Sequence, residues 1–327
     1  MSTPHELPLV TLYLTDRCNS RCVTCDYWRH GRSNVTFESV ERLMPDLARL
    51  GTRVALLSGG EPLLHAEWQK IAALLRDGGI RPWLLTSGLS LLKHAARATD
   101  LCESITVSLD GTCAETYQAI RGLDAFDNVC AGIRAAAELG KPAALRVTLQ
   151  RRNYRELLKF VRLAHELGAQ RISFLAVDVS NPHAFGRETA FSEPLALDVS
   201  DLAQFDTLLD AMENEFAADF ASGFIAESPA KLRRIRHYFA GLHGLGPFPP
   251  VRCNAPEFSA VVGVDGQLSP CFFIPGPPDA NVTSVGLSAA LEGTAMSALR
   301  ADIRAGSRRE CARCVCSMWR DPGQSFA

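Results

Sequence analysis

Two short stretches hold more than half of the chain's cysteines. Cys18, Cys22 and Cys25 are spaced Cys-x3-Cys-x2-Cys, and Cys311, Cys314 and Cys316 form a second knot near the other end. The total is 11, an odd number. In a reducing compartment such clusters read as metal ligation before disulfides. A four-iron cluster takes one thiolate per iron. Three thiols this close, with no fourth nearby, leave one iron open to another ligand. The competing reading is a structural zinc knuckle or inert core thiols, although zinc sites usually join a Cys-x2–4-Cys to a distant second pair.

Four further segments carry chemistry-bearing residues. Ser58-Gly59-Gly60-Glu61-Pro62 joins two glycines to a carboxylate. The glycines permit a close approach that a side chain would block, and the carboxylate can accept hydrogen bonds from an ammonium group. Thr86-Ser87-Gly88, Ser108-Leu109-Asp110-Gly111 and Ile120-Arg121-Gly122 follow in order. Each alone is an ordinary turn. Near the other end, Cys253 is followed after twelve residues by Gly266 and after four more by Cys271.

The elements that must position these residues alternate. Short apolar runs at Leu9–Leu14, Val54–Leu57, Pro82–Leu85, Ser104–Leu109, Ala144–Leu149 and Ile172–Val177 read as strands. Helical patterns separate them, the first over Phe37–Leu50 with Thr36 as N-cap and Gly51 as stop. Six strand–helix repeats imply parallel strands joined by helical crossovers, in a barrel or an open α/β sheet. The chemistry-bearing segments all fall at the C-terminal ends of strands, where α/β barrels gather their ligand chemistry. One more helix is expected over Leu202–Phe220. Asp265-Gly266 signals a hairpin between Phe258–Val264 and Gln267–Phe273, and Leu287–Arg304 reads as one helix. The expected organisation is a large domain over 1–222, a linker over 223–250 and a small domain over 251–327.

Bulk properties exclude several classes. The 327 residues are 47% hydrophobic, enough for a sizeable core. The net charge of −2 gives no excess that would draw nucleic acid or an anionic membrane. Apolar runs are too short to span a bilayer, and no secretion signal is visible. The expectation is a cytoplasmic protein that binds neither nucleic acid nor membrane.

The Cys18/Cys22/Cys25 spacing, Gly59-Gly60-Glu61-Pro62 and the three later segments together resemble the radical S-adenosylmethionine (SAM) superfamily over about residues 9–180. The resemblance implies a partial (β/α)6 TIM-like barrel and a [4Fe-4S] cluster on Cys18, Cys22 and Cys25. SAM would fill the open iron position, and its reductive cleavage would give a 5′-deoxyadenosyl radical that removes a hydrogen atom from substrate. It further implies SAM contacts from Gly59, Gly60, Glu61 and Pro62, and from Ser87, Ser108 and Arg121. One departure is Thr24, where relatives often place an aromatic that packs on adenine; Tyr27 or Trp28 is a candidate substitute. The Cys253–Gly266–Cys271 spacing resembles the opening of SPASM/Twitch extensions. That resemblance implies a small α+β iron–sulfur domain with one auxiliary [4Fe-4S] cluster on Cys253, Cys271, Cys311 and Cys314. Cys316 either replaces Cys314 or stays free, and a zinc ribbon is the alternative.

The remaining candidates are less specific. Cys102, Cys113 and Cys130 read as buried structural thiols. Arg146 and Thr148 share one strand face and point either into the barrel or to solvent. Asp178, His183 and Arg187 follow the sixth strand, and none is assigned as a base. Lys231–His237 is a basic helical stretch. The expected reaction is an oxidation with the auxiliary cluster as electron acceptor. The alternative is modification of a peptide, by epimerisation or crosslinking. Partners would be a small-molecule or peptide substrate and a reductant such as flavodoxin or ferredoxin.

Overall fold

The computed structural model describes residues 6–187, 191, 194–316 and 318–321. β1 (Leu9–Thr15) leads through α1 (Tyr27–His30) and α2 (Phe37–Arg49) to β2 (Val54–Gly59). α3 (Trp68–Asp77), β3 (Arg81–Thr86), α4 (Leu91–Leu101) and β4 (Ser104–Ser108) follow. α5 (Ala114–Arg121) and α6 (Phe126–Glu138) precede β5 (Ala144–Leu149), and α7 (Leu157–Glu166) precedes β6 (Arg171–Ala176). Neighbouring strands from β1 to β6 pair in parallel, in sequence order. This is the α/β partial barrel that the alternating pattern implies.

Periodicity explains the layers. In β3, Pro82, Leu84 and Thr86 are buried while Arg81, Trp83 and Leu85 on the other face are half-buried, the two-residue alternation of a strand. In α3, Trp68, Ile71, Ala72 and Leu75 are buried, the three- and four-residue spacing of a helix laid on a sheet. Thr36 caps α2 by accepting from the Ser39 amide at 3.1 Å, and Gly51 follows its end at φ +66°.

The second half departs from expectation in four places. The helix expected over Leu202–Phe220 is two, α8 (Val199–Glu215) and α9 (Ala217–Ser222), broken at Phe216. The expected linker contains α10 (Pro229–Leu242), capped by Ser228 and buried through Leu232, Ile235, Tyr238 and Phe239. Its basic residues are solvated or paired, with Arg233 on Asp210 and Glu213, and Arg236 on Asp206. The C-terminal hairpin does not form a separate sheet. After α11 (Ala255–Phe258), β7 (Ser259–Val262) pairs in parallel with β1, Leu9 facing Ser259 and Leu12 facing Val262. β8 (Leu268–Ser269) then pairs antiparallel to β7, so all eight strands form one sheet. Gly266, at φ +80°, makes the turn. α12 (Val282–Val285), α13 (Leu287–Glu292), α14 (Thr294–Arg304) and α15 (Arg309–Ala312) complete the chain, with Gly293 splitting the single helix expected over Leu287–Arg304.

At the opposite edge, Phe224 and Ala226 bond to both backbone groups of Ile172, which covers the exposed side of β6. Among the described residues no helix is long and apolar enough to cross a membrane.

α8 is anchored by a buried carboxylate. Asp201 accepts from the Asp198 amide (3.0 Å), the Tyr154 hydroxyl (2.7 Å) and Arg155 (2.8 Å). Burial pushes its pKa up, but these donors and Arg151 outweigh it, and the group lies below its ordinary value. A depressed folded-state pKa contributes stability above the unfolded value, and that contribution is lost as pH falls through the folded one. Asp201→Asn should therefore cost about 1–3 kcal/mol at neutral pH. In urea titrations the gap to wild type should close as pH drops below the ordinary carboxylate range; a constant gap would mean that packing, not charge, is lost.

Candidate active site

The cysteine loop after β1 is held by main chain on two sides. The amide of Gly60 donates to Thr15 O at 2.7 Å and that of Glu61 to Arg17 O at 2.8 Å. The amides of Arg21 and Val23 donate to Arg121 O and Ile120 O at 2.9 and 3.0 Å. These contacts leave no space for side chains. A Cβ on Gly59 would lie 2.2 Å from Thr15 O, one on Gly60 2.2 Å from Arg17 O, and one on Gly122 2.5 Å from Arg21 O. The paired glycines thus serve the approach of two backbones.

Within the loop, Cys22 is buried while Cys18 and Cys25 are half-buried. The Ser20 hydroxyl lies 3.1 Å from Cys22 Sγ, and Arg121 Nη1 donates to that sulfur at 3.5 Å. Arg121, 8% exposed, is also ion-paired to Asp110 at 2.8 Å, and Asp110 accepts from the Thr148 amide. The hydrogen bond from Cys25 pulls the Cys22 thiol down to about 6, against burial and with help from Arg121. The same bond raises Cys25. That bond thus favours negative charge on Cys22 over Cys25. Burial pushes Cys18 up to about 12.

Glu61 is fully buried. Its Oε1 accepts from the Leu63 amide and the Thr86 hydroxyl, and its Oε2 from the Ser87 amide and hydroxyl, at 2.6 to 3.1 Å. Those four donors fill a carboxylate's ordinary capacity, so Glu61 ties the end of β3 to the end of β2. Ser87 gives its hydroxyl hydrogen to Glu61 and keeps only acceptor capacity. Pro62 opens a short 3-10 turn and is buried. Ser108 stands apart, beside Arg146 in the strand register.

The two aromatic candidates separate. Tyr27 packs edge-on against Tyr13 at 6.1 Å. Trp28 donates to Cys22 O and Cys25 O and lines, with Cys18, Asn19 and Arg21, an open recess of about 540 Å3. Trp28 thus borders the recess with Cys18, and Tyr27 lies within charge interaction of Cys25.

The second group gathers across the barrel. Cys253, Cys271, Cys311, Cys314 and Cys316 all line a cavity of about 240 Å3 whose other wall is the inward face of the sheet. Burial raises Cys271 to about 12 and also raises Cys311, Cys314 and Cys316. Cys314 donates to Cys316 O at 3.1 Å. Among the described residues no three His, Cys, Asp or Glu side chains are gathered closely enough to hold one metal ion.

Other candidates resolve as follows. Cys102 and Cys130 are buried, but Cys113 is exposed, because it caps α5 and its sulfur turns to Thr116 at the surface. Arg146 points into the lumen. Asp178 accepts from the Ser180 and Asn181 amides, and Arg187 donates to Asn181 O, so these two hold their own loop together. His183 precedes a short 3-10 turn in that loop. The spacing gave no sign of Phe185, which takes φ +62° in the same loop. Its carbonyl accepts from the Asp26 amide, and its ring packs on Phe273. The loop therefore bridges both thiol groups. Asp110 and Thr86 lay inside segments noted in the sequence; only their partners were hidden.

Residues 12–169 match the radical SAM superfamily. Those residues form a radical SAM domain. The match is supported by an AdoMet-dependent heme synthase of Methanosarcina barkeri, 33% identical over 49% of this chain and 48% of that protein. The aligned region thus spans about half the length of that relative. A probable GTP 3′,8-cyclase of Saccharolobus islandicus is 28% identical over 80% of this chain and 81% of its own length. SuiB of Streptococcus suis bound to SAM has the same fold, with TM-score 0.67 at 14% identity over 95% of this chain and 72% of its own. SuiB has also been solved bound to the precursor peptide SuiA, with TM-score 0.66 at 13% identity, covering 96% of this chain and 71% of SuiB. The enzyme anSMEcpe with AdoMet and the Cp18Cys peptide gives TM-score 0.67 at 17% identity over 95% and 89% of the two chains.

Radical SAM enzymes use a [4Fe-4S] cluster and SAM, and the first site suits both. Its three thiols sit beside a buried cation, and two buried polar atoms there, Asn19 Oδ1 and Arg121 Nε, have no partner among the described residues. Orphaned polar atoms of this kind call for a ligand. The C-terminal thiols are a donor set suited to an auxiliary cluster.

Two substitutions test this scaffold. Gly60→Ala should lower iron bound at the first site while leaving the second site loaded, because its methyl collides with Arg17 O; full loading would show that the loop can yield. Asp110→Asn should cost about 3–5 kcal/mol in thermal unfolding, since it leaves Arg121 buried without its counter-charge.

Proposed function

We propose that this radical SAM enzyme oxidises its substrate by two electrons, with a second iron–sulfur site in the wall of the substrate cavity. The observation that carries the reading is that wall: the C-terminal thiols line the same lumen as Thr11, Leu85 and Thr106 of the barrel strands. When loaded, the two sites would supply SAM cleavage for hydrogen-atom abstraction and, through a cluster with no open iron, an acceptor for the remaining electron, while the accompanying proton passes to a base.

The chain's own residues hold and shape these sites. Cys18, Cys22 and Cys25 would ligate the first cluster. Cys253, Cys271 and Cys311 would ligate the second, with Cys314 or Cys316 as fourth ligand. Arg121 would offset thiolate charge at Cys22, and Asp110 keeps its guanidinium in place. Gly59, Gly60, Ser87 and Ser108 would border SAM, with Glu61 and Pro62 bracing the segment behind them. The apolar side chains of the lumen would keep water from the reacting position. The reductant would be a one-electron protein donor such as flavodoxin or ferredoxin, in a reducing cytoplasm.

Peptide modification is the second reading. It draws on the peptides bound to SuiB and anSMEcpe, proteins that share this fold at low identity.

Metal analysis of anaerobically purified protein tests the two-site reading. We expect about eight irons in wild type and about four in a Cys18/Cys22/Cys25→Ala variant, with SAM cleavage only in the former. About four irons plus one zinc in wild type would make the C-terminal site structural and remove the electron acceptor. Deuterium from solvent appearing in a peptide product would favour epimerisation over oxidation.

A further inference from the structure

The lumen beside the second thiol group holds two arginines that no described side chain ion-pairs. β5 turns Arg146 inward, in register with Ser108 of β4 on one side and Ser173 of β6 on the other. Arg171 opens β6 and lines the same cavity. Neither arginine makes a hydrogen bond or ion pair among the described residues. The acid in the cavity wall, Glu310, is already paired with Arg308 at 2.7 Å. Glu227 attracts Arg146 from a distance, but it also attracts Lys231, and its Oε2 is held by the Phe174 amide at 2.8 Å. Most of the remaining wall is apolar, including Leu9, Leu56, Leu85, Val261 and Ile303.

Both guanidiniums are solvent-exposed on the cavity side, so their donors are open to a ligand. The planar fork of each matches a carboxylate or phosphate. We propose that Arg146, assisted by Arg171, binds an anionic group of the substrate, a carboxylate or a phosphate, within the lumen. Arg146, within β5, lies laterally beside Ser108 at the end of β4, and charge interaction also links it to Cys316. A substrate anchored there would lie against the second thiol group. The inference deepens the proposed function and rests on it for the identity of the ligand as substrate.

The test is calorimetric titration of anaerobic, iron-loaded protein with SAM present, at low salt, using inorganic pyrophosphate and citrate as probes. At least one should bind wild type, with affinity falling as salt rises. Arg146→Gln should weaken it about tenfold or more, Arg146→Lys should restore part of the loss, and Arg171→Gln should weaken it less. Preference for pyrophosphate would point to a phosphate group, and preference for citrate to a carboxylate. No binding of either probe, or an Arg146→Gln affinity equal to wild type, would overturn the proposal. So would an unchanged affinity with a shifted reduction potential of the second cluster, since the arginine would then serve the cluster. Iron content and SAM cleavage are read on the same samples. If they fail, the proposed function fails; if they hold and anion binding fails, only this inference does.

Discussion

The rest of the site depends on three backbones lying against one another with no room for a Cβ between them. The cysteine loop is clamped on one side by Gly59-Gly60 and on the other by Ile120-Arg121-Gly122. Main-chain hydrogen bonds at 2.7 to 3.0 Å fix the loop as firmly as a strand in a sheet. Its sulfurs therefore stand at defined places before any cluster is bound, so less ordering cost falls on the binding step. The arginine that touches Cys22 belongs to the clamp itself, which couples the position of the loop to the charge it can hold.

Two buried carboxylates make the clamp rigid in different ways. Glu61 has no cationic partner among the described residues and is held by four hydrogen bonds from its neighbours. Asp110 is paired with Arg121 and bonded to the main chain of β5. Each joins the ends of strands adjacent in the barrel. A parallel sheet whose strand ends are cross-tied in this way presents a fixed rim, and the ligand-facing groups sit on that rim rather than on mobile loops.

Much of this was legible in the sequence, because strands, crossovers and motifs are local. The six strands appear where two-residue and short apolar patterns place them, and the glycine and cysteine motifs announce themselves by spacing. The purpose of Glu61 was not legible. Its sequence neighbours suggest a group facing a ligand, and only the fold brings Thr86 and Ser87 onto both of its oxygens. The pairing of β7 with β1 was likewise hidden, since a hairpin signal at Asp265-Gly266 says nothing about which distant strand will accept its outer edge. Phe185 was hidden for a related reason. A strained aromatic residue in a polar loop has no local signature, yet it ties the loop after β6 to both Asp26 and Phe273.

That remote pairing has a consequence for how the molecule is made. β1 is synthesised before the other strands of the sheet, and its partner β7 only after β6. Leu9 cannot meet Ser259 until every crossover between them has been made. Until then β1 has an unpaired apolar edge, the kind of surface that invites aggregation in slow-folding α/β proteins. The first thiol group hangs from the end of that strand. Cluster insertion before β7 docks would act on a half-finished sheet, so the order of synthesis favours loading iron after the chain has closed on itself.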